Sequence, residues 1–153
     1  MMSLSPEGRV HRLLSIFAKT GREGECTRAF DRFPDTVRAT LWELAGLAPE
    51  ERPILACFRD AGHWTLITTE RVLIRASDHT RRLPWSDIEN ATVGTGHMTV
   101  ALASGLQGKL TLDRLTVICR DGEAVELELE PGPSFIGVWN VLKTLGSLGA
   151  KGP

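Results

Sequence analysis

The 153-residue sequence predicts an α+β protein in which an antiparallel β-rich centre lies between helical segments. Apolar residues recur at helical spacing up to residue 46, and helical spacing returns over residues 133–149. Between them, residues 54–130 contain short β-branched runs separated by turn residues. Short strands of this kind are typical of a barrel or a sandwich.

The segment before residue 46 predicts two helices. In the first, Ser5 is placed to act as N-cap, Pro6 suits the first turn and Gly21 can end the helix. Its apolar face consists of Val10, Leu13, Leu14 and Phe17. Residues 22–33 follow and are rich in charge, with Ala29 and Phe30 the best candidates for packing.

The second helix is predicted from near Asp35 to Gly46. Its apolar stripe is Val37, Leu41 and Leu44, and Trp42 lies to one side of it. Residues 48–53 contain two prolines and three charges, a composition that favours exposed, extended chain. We therefore expect a linker there.

The predicted strands begin at Ile54. Five of them are expected, over residues 54–58, 64–69, 72–76, 80–85 and 88–93. They are separated by turns or corners at 60–62, 70–71, 77–79 and 86–87. Glycines interrupt residues 94–113, where 98–103 can be a strand or a loop and the sequence leaves the choice open.

A last hairpin and a helix follow. The hairpin joins strands at 115–120 and 124–130 through Asp121-Gly122. Its second strand alternates, with Val125, Leu127 and Leu129 inward and Glu126, Glu128 and Glu130 outward. Ser134 can cap the helix, whose apolar stripe is Phe135, Val138, Val141, Leu142, Leu145 and Leu148 together with Trp139. A stripe this wide indicates contact with more than one surface.

Two segments of the β-rich region carry a family resemblance. His63-Trp64-Thr65-Leu66-Ile67-Thr68-Thr69-Glu70-Arg71-Val72-Leu73-Ile74 resembles the hairpin of strands two and three in bacterial pleckstrin-homology and GRAM-like domains. Arg82-Leu83-Pro84-Trp85-Ser86-Asp87-Ile88-Glu89 resembles the segment that follows it there. The resemblance implies an antiparallel β-barrel of about seven strands capped by a C-terminal helix over residues 54–149. Residues 1–50 then form an N-terminal helical extension.

Composition excludes several classes of function. The net charge of −1 and the pI near 6.4 give no reason to expect nucleic-acid binding or attachment to an acidic membrane. We see no secretory signal and no bilayer-length apolar run, and therefore expect a cytoplasmic protein. Cys26, Cys57 and Cys119 are too few and too far apart for a disulfide framework, and the last two are expected in the core.

Catalytic and metal-binding patterns are not recognised. His11, His63, His79 and His97 are scattered and lack the spacing of metal ligands. Neither Ser104 nor Ser147 lies in a nucleophile-elbow motif, and Gly94-Thr95-Gly96 lacks the remainder of a phosphate loop. We therefore expect a protein that is not an enzyme and that uses neither a cofactor nor a metal.

Binding surfaces remain as the candidate sites. Trp42 or Trp85, if exposed, would anchor a partner, and an acidic face of Glu126, Glu128 and Glu130 is a second candidate. The hypothesis is a non-catalytic protein-interaction or scaffold module that binds another protein or a second copy of itself, as a homo-oligomer. The alternatives are an immunity protein that neutralises a toxin, or a binder of anions or lipid headgroups. The patch for the last alternative is Arg59, Arg75, Arg81 and Arg82.

Overall fold

We describe the protein from a computed structural model, which covers residues 5–94 and 112–150 and leaves out the side chains of 149 and 150. The prediction of an α+β fold is confirmed. The elements are α1 (Pro6–Thr20), β1 (Thr27–Ala29), α2 (Asp35–Ala45), β2 (Pro53–Asp60), β3 (His63–Thr68), β4 (Arg71–Ala76), β5 (His79–Pro84), β6 (Ile88–Thr92), β7 (Arg114–Cys119), β8 (Ala124–Glu128) and α3 (Pro133–Ala150). The open question about residues 98–103 lies outside the described residues.

The strands form two antiparallel sheets. The larger has the order β1-β2-β3-β4-β5 and the smaller the order β6-β7-β8. Over the described residues these are two separate sheets, and no closed barrel is found. Strand β1 lies in the part that the sequence predicts as helical, and it pairs with β2 from Thr27 opposite Cys57 to Ala29 opposite Leu55.

The first hydrophobic core lies between the two sheets, α1 and α3. Leu13 and Phe17 enter it from α1, and the predicted stripe of α3 packs there, with Trp139 and Leu148 half-buried and the rest buried. Helix α3 packs on β6 and on α1, which confirms the expected contact with two surfaces. The N-terminal residues and the β-rich region therefore share one core.

Glycines allow α3 to approach its neighbours closely. A Cβ atom at Gly146 would lie 2.2 Å from the carbonyl oxygen of Glu89 in β6. A Cβ atom at Gly21, which ends α1 in an extended conformation, would lie 2.7 Å from the Cα atom of Gly137. These distances are shorter than non-bonded atoms tolerate, so the helix packs against backbone at both places.

A second core covers the outer face of the larger sheet. Phe30, Phe33, Leu41 and Ala45 pack there on Ala56, Trp64, Leu66 and Leu73. The buried stripe of α2 is thus Val37, Leu41 and Ala45, and the predicted place of Leu44 in it is wrong, because that side chain is 42% exposed. Helix α2 ends at Gly46, whose φ of +60° is the left-handed conformation that glycine favours.

A buried ion pair fixes the segment between α2 and β2. Glu51 is only 3% exposed, and its carboxylate accepts hydrogen bonds from Arg71 Nε and Nη2, each at 2.9 Å. Thr68 Oγ1 and the Ala48 N–H also donate to it, at 2.5 and 3.1 Å. The expectation of an exposed linker is wrong at Glu51, because a charged group can be buried where an opposite charge and hydrogen-bond donors meet it.

None of the described helices combines the length and the hydropathy that crossing a bilayer requires.

Candidate partner-binding surface

Helix α2 carries the large apolar side chains that are exposed among the described residues. Trp42 is 53% exposed and Leu44 is 42% exposed. At about 100° of rotation per residue, the two side chains leave the helix about 160° apart, one on each flank of the buried stripe. The surface of α2 therefore presents an apolar group on both sides of its contact with the sheet.

Trp42 packs on the buried side chain of Phe30. Its ring lies 6.4 Å from the ring of Phe30, centroid to centroid, at an angle of 47°. Phe30 is itself buried at the start of the 3₁₀ turn that follows β1. An aromatic ring with one face supported and the other exposed loses little conformational freedom when a partner covers it, which is the property of an interface anchor.

Trp85, the other candidate anchor, is buried. It is 6% exposed, and its indole N–H donates to the carbonyl of Thr68 at 3.1 Å. The guanidinium of Arg9 lies 4.9 Å from the centre of its ring and donates to the carbonyl of Thr69 at 2.6 Å. Trp85 thus joins α1 to the larger sheet.

The predicted acidic face is only partly present. Glu126 and Glu128 are exposed on β8, as expected. They lie beside Arg114 of β7, with nitrogen–oxygen distances of 3.8 and 3.4 Å. This arginine offsets part of their charge, so the face is weakly acidic at most.

The expectation that Glu130 belongs to this face is wrong. Strand β8 ends at Glu128, and the side chain of Glu130 beyond it is half-buried. The Glu130 carboxylate accepts the backbone N–H groups of Glu25, Cys26 and Thr27 at 2.8, 3.1 and 3.0 Å. It therefore binds the segment before β1 and has an internal role.

The arginines of the predicted anion patch do not converge. Two of them have partners that are distant in the sequence: Arg59 Nη2 donates to the carbonyl of Leu129 at 3.0 Å, and Arg81 Nη2 lies 2.6 Å from Glu123 Oε1. The two arginines lie on β2 and on β5, with β3 and β4 between them.

The other two lie on the outer face of β4 and β5. Arg75 Nη1 donates to Thr80 Oγ1 at 2.8 Å, and Arg82 is exposed. Four cations distributed in this way do not form one pocket for an anion. Anion binding by the four together stays a prediction that the geometry does not favour.

One thiol and two carboxylates come together at the turn between β7 and β8, where the carboxylates already have partners. Cys119, Asp121 and Glu123 place their ligand atoms within 4.8 Å of one another. However, Asp121 Oδ1 accepts the N–H of Glu123 at 2.8 Å, and Glu123 pairs with Arg81. His97 lies outside the described residues, and His63 pairs with Asp60 at 3.0 Å.

The cysteines behave as core residues. Cys57 and Cys119 are buried, as predicted, and Cys26 is half-buried. Burial raises the pKa of all three thiols, above all because the charged thiolate would be desolvated. Thiols with a raised pKa are poor nucleophiles near neutral pH.

An open groove of about 510 Å³ runs along the exposed side of α1. Val10 and Leu14 form its apolar floor, with His11, Ser15 and Arg52 among the residues at its rim. His11 and Ser15 share one face of the helix, but no hydrogen bond joins them. A nucleophile needs a base within hydrogen-bond reach, so this pair gives no support to a catalytic reading.

Comparison of the chain with models of known families, with curated proteins and with solved structures gives no match in any of the three. No family is assigned to it, and the candidate surface is judged on its geometry alone.

One feature of the candidate surface and one feature of the segment that follows it were not predicted from the sequence. The exposure of Leu44 follows from a helix phase in which Ala45 faces the sheet, and the i, i+4, i+8 spacing of Val37, Leu41 and Ala45 was its signal. The burial of Glu51 had no local signal, because its partner Arg71 lies twenty residues later in the chain.

Proposed function

We propose that this chain is a non-catalytic protein-interaction module with a pleckstrin-homology-like architecture, and that it binds its partner through α2. The observation that carries the proposal is the exposure of Trp42 and Leu44 on a helix that is itself firmly packed. Exposed aromatic groups on rigid elements are the usual anchors of protein interfaces.

The architecture supports the first half of the proposal. Strands β2 to β5 and β6 to β8 are seven antiparallel strands in two sheets, followed by a helix whose apolar stripe enters the core between them. This is the order of elements that the sequence resemblance implies. Strand β1 and helix α2 are then additions, and α2 lies on the outer face of the first sheet.

The charges of α2 favour a protein as the partner. Asp35 and Glu43 are exposed on the helix, and Arg38 pairs with Asp35. Acidic groups beside the apolar anchors oppose the approach of nucleic acid or an anionic bilayer. The occupant we propose is a protein surface with an apolar pocket for the indole of Trp42. A toxin or a second copy of the chain would satisfy this description, and a cytoplasmic location is part of the same proposal.

The test is quantitative affinity capture from the native host with the full chain. The variant Trp42→Ser should lose a captured protein by at least about tenfold, because truncating a hot-spot side chain costs about 2 kcal/mol or more. The matched control, Lys19→Ser on the exposed side of α1, should capture the same protein as the wild type. Light scattering over a range of concentrations shows whether the partner is a second copy.

Two results would overturn the proposal. One is equal capture by the wild type and by Trp42→Ser. The other is a strictly monomeric wild-type chain that retains no protein above the level of an empty matrix.

A further inference from the structure

The outer strands of the two sheets differ in whether side chains form hydrogen bonds with the backbone of their free edges. At β1, the N–H groups of Thr27 and Ala29 donate to the carboxylates of Glu130 and Glu23, each at 3.0 Å. At β6, the carbonyl of Ala91 accepts a hydrogen bond from the indole N–H of Trp139 in α3 at 2.9 Å. The chain therefore caps these two edges with its own side chains, as proteins commonly do with exposed strand edges.

The free edge of β5 has no such cap. Strand β5 is the last strand of the larger sheet and pairs with β4 over its whole length, from Arg71 opposite Pro84 to Ala76 opposite His79. Among residues 5–94 and 112–150, no side chain or backbone group forms a hydrogen bond with the backbone of residues 79–84 outside the pairing with β4. Leu83 is the one buried residue of the strand, and within the part of the chain that the structure describes no element pairs with this edge.

The hydrogen-bond pattern identifies the groups at that edge. The N–H of Trp85 donates to the carbonyl of Glu70 at 3.0 Å, just beyond the paired residues of β4 and β5. In antiparallel pairs, residues that bond to the neighbour alternate with residues that do not. Arg81 and Leu83 therefore face β4 with their backbone groups, while Thr80 and Arg82 direct theirs away from the sheet.

On the outer face of the sheet, the charges beside this edge are positive. The register places the side chains of Thr80 and Arg82 on the outer face of the sheet, beside Arg75 and Leu73. Arg82 is exposed, and the buried Nε of Arg75 has no hydrogen-bond partner. Arg81, on the other face, pairs with Glu123 and lies near Asp121, and Asp78 lies in the turn before the strand.

We propose that β5 binds an extended, acidic segment of another protein, which adds to the larger sheet as a further strand. Backbone pairing with Thr80 and Arg82 would supply the hydrogen bonds, and carboxylates of the segment would lie beside Arg82 and Arg75. A second copy of β5 is the wrong occupant, because antiparallel pairing of two such strands would bring the arginines of both copies together, and like charges across strands destabilise a sheet. The same charges favour an acidic partner.

The probe is a fluorescein-labelled peptide of alternating glutamate and valine, and its binding to the full chain is followed by fluorescence anisotropy. Two control peptides separate the contributions: one has lysine in place of glutamate, and one is N-methylated at every inner residue. We expect both to bind at least about tenfold more weakly than the probe, because the first reverses the charge and the second removes the backbone donors. The variant Arg82→Glu should weaken binding of the probe to the same extent, whereas Arg12→Glu on the exposed side of α1 should not.

Amide hydrogen exchange tests the edge itself. We expect the amides of Thr80 and Arg82 to exchange rapidly in the free protein and slowly once the probe is bound. The proposal is overturned if these amides are already protected in the free protein, or if the N-methylated peptide binds as well as the probe. The variant Trp42→Ser should bind the probe normally, so failure here and failure of the α2 surface can be told apart.

Discussion

Replacing Glu51 by glutamine is the sharpest test of the buried cluster between α2 and β2. The carboxylate accepts four hydrogen bonds, two at each oxygen, from Arg71, Thr68 and the N–H of Ala48. Glutamine has one oxygen and one amino group, so two of these donors would face another donor. The guanidinium of Arg71 would also lose its counter-charge in a site that is largely closed to water.

The expected loss of stability follows from these contacts. Removing one partner of a fully buried ion pair costs about 3–5 kcal/mol. The side chain of Arg71 is 22% exposed, so water recovers part of its solvation, and we expect Glu51→Gln to lower the free energy of unfolding by about 2–4 kcal/mol. At about 2–4 °C per kcal/mol for a chain of this size, a loss of this order lowers Tm by roughly 4–16 °C.

The dependence on pH gives a second, independent check. Burial alone would raise the pKa of Glu51, but the hydrogen bonds from Arg71 and Thr68 outweigh it, so the pKa lies below its ordinary value in the folded protein. A carboxylate with a lowered pKa in the fold contributes its full stabilisation above the unfolded pKa, which is about 4.3 for glutamate. This contribution is lost as the pH falls through the lower, folded value. The difference between the wild type and Glu51→Gln should therefore shrink below about pH 4.

Urea unfolding at pH 7 and at several lower pH values measures both effects. The control is Glu50→Gln, which changes the same group at the exposed neighbouring position and should stay within about 0.5 kcal/mol of the wild type. A Glu51→Gln variant as stable as this control at pH 7, or a loss that does not change with pH, would refute the reasoning.

Three further predictions concern the packing of α3, the segment before β1 and the thiols. Gly146→Ala should destabilise the fold by about 1–3 kcal/mol in urea unfolding despite the better helix propensity of alanine, because its Cβ atom would meet the Glu89 carbonyl at 2.2 Å; a stabilised variant would contradict this contact. Glu130→Gln should make the segment before β1 more sensitive to limited proteolysis, whereas the exposed control Glu128→Gln should leave the cleavage rate unchanged. Cys57 should react with a thiol reagent only after unfolding, since burial raises its pKa; rapid labelling of the native protein would contradict the burial of this thiol.

Local sequence signals predicted the elements that depend on local chemistry. The turns at Asp60-Ala61-Gly62 and Asp121-Gly122 join paired strands, and the apolar stripe of α3 is buried, because turn residues and helical spacing act over a few positions. Strand β1 was missed since three residues give no measurable alternation, and its edge is completed by Glu130, about a hundred positions later. Periodicity describes which face of an element is apolar, but it does not say where the element ends.

The same distinction explains why the candidate site changed. From the sequence, a charged residue beside a turn and a charged residue bound to a distant backbone group look alike, since both are polar positions outside the apolar stripe. The structure separates them: Arg59, Arg81 and Glu130 have partners inside the chain, so their charges stabilise the fold. Among the described residues, the exposed side of the Trp42 ring and the free edge of β5 remain available to a partner, and both belong to the larger sheet and its covering helix. A protein that contacts both surfaces would lose affinity in Trp42→Ser and in Arg82→Glu, whereas the short peptide probe would respond to Arg82→Glu alone.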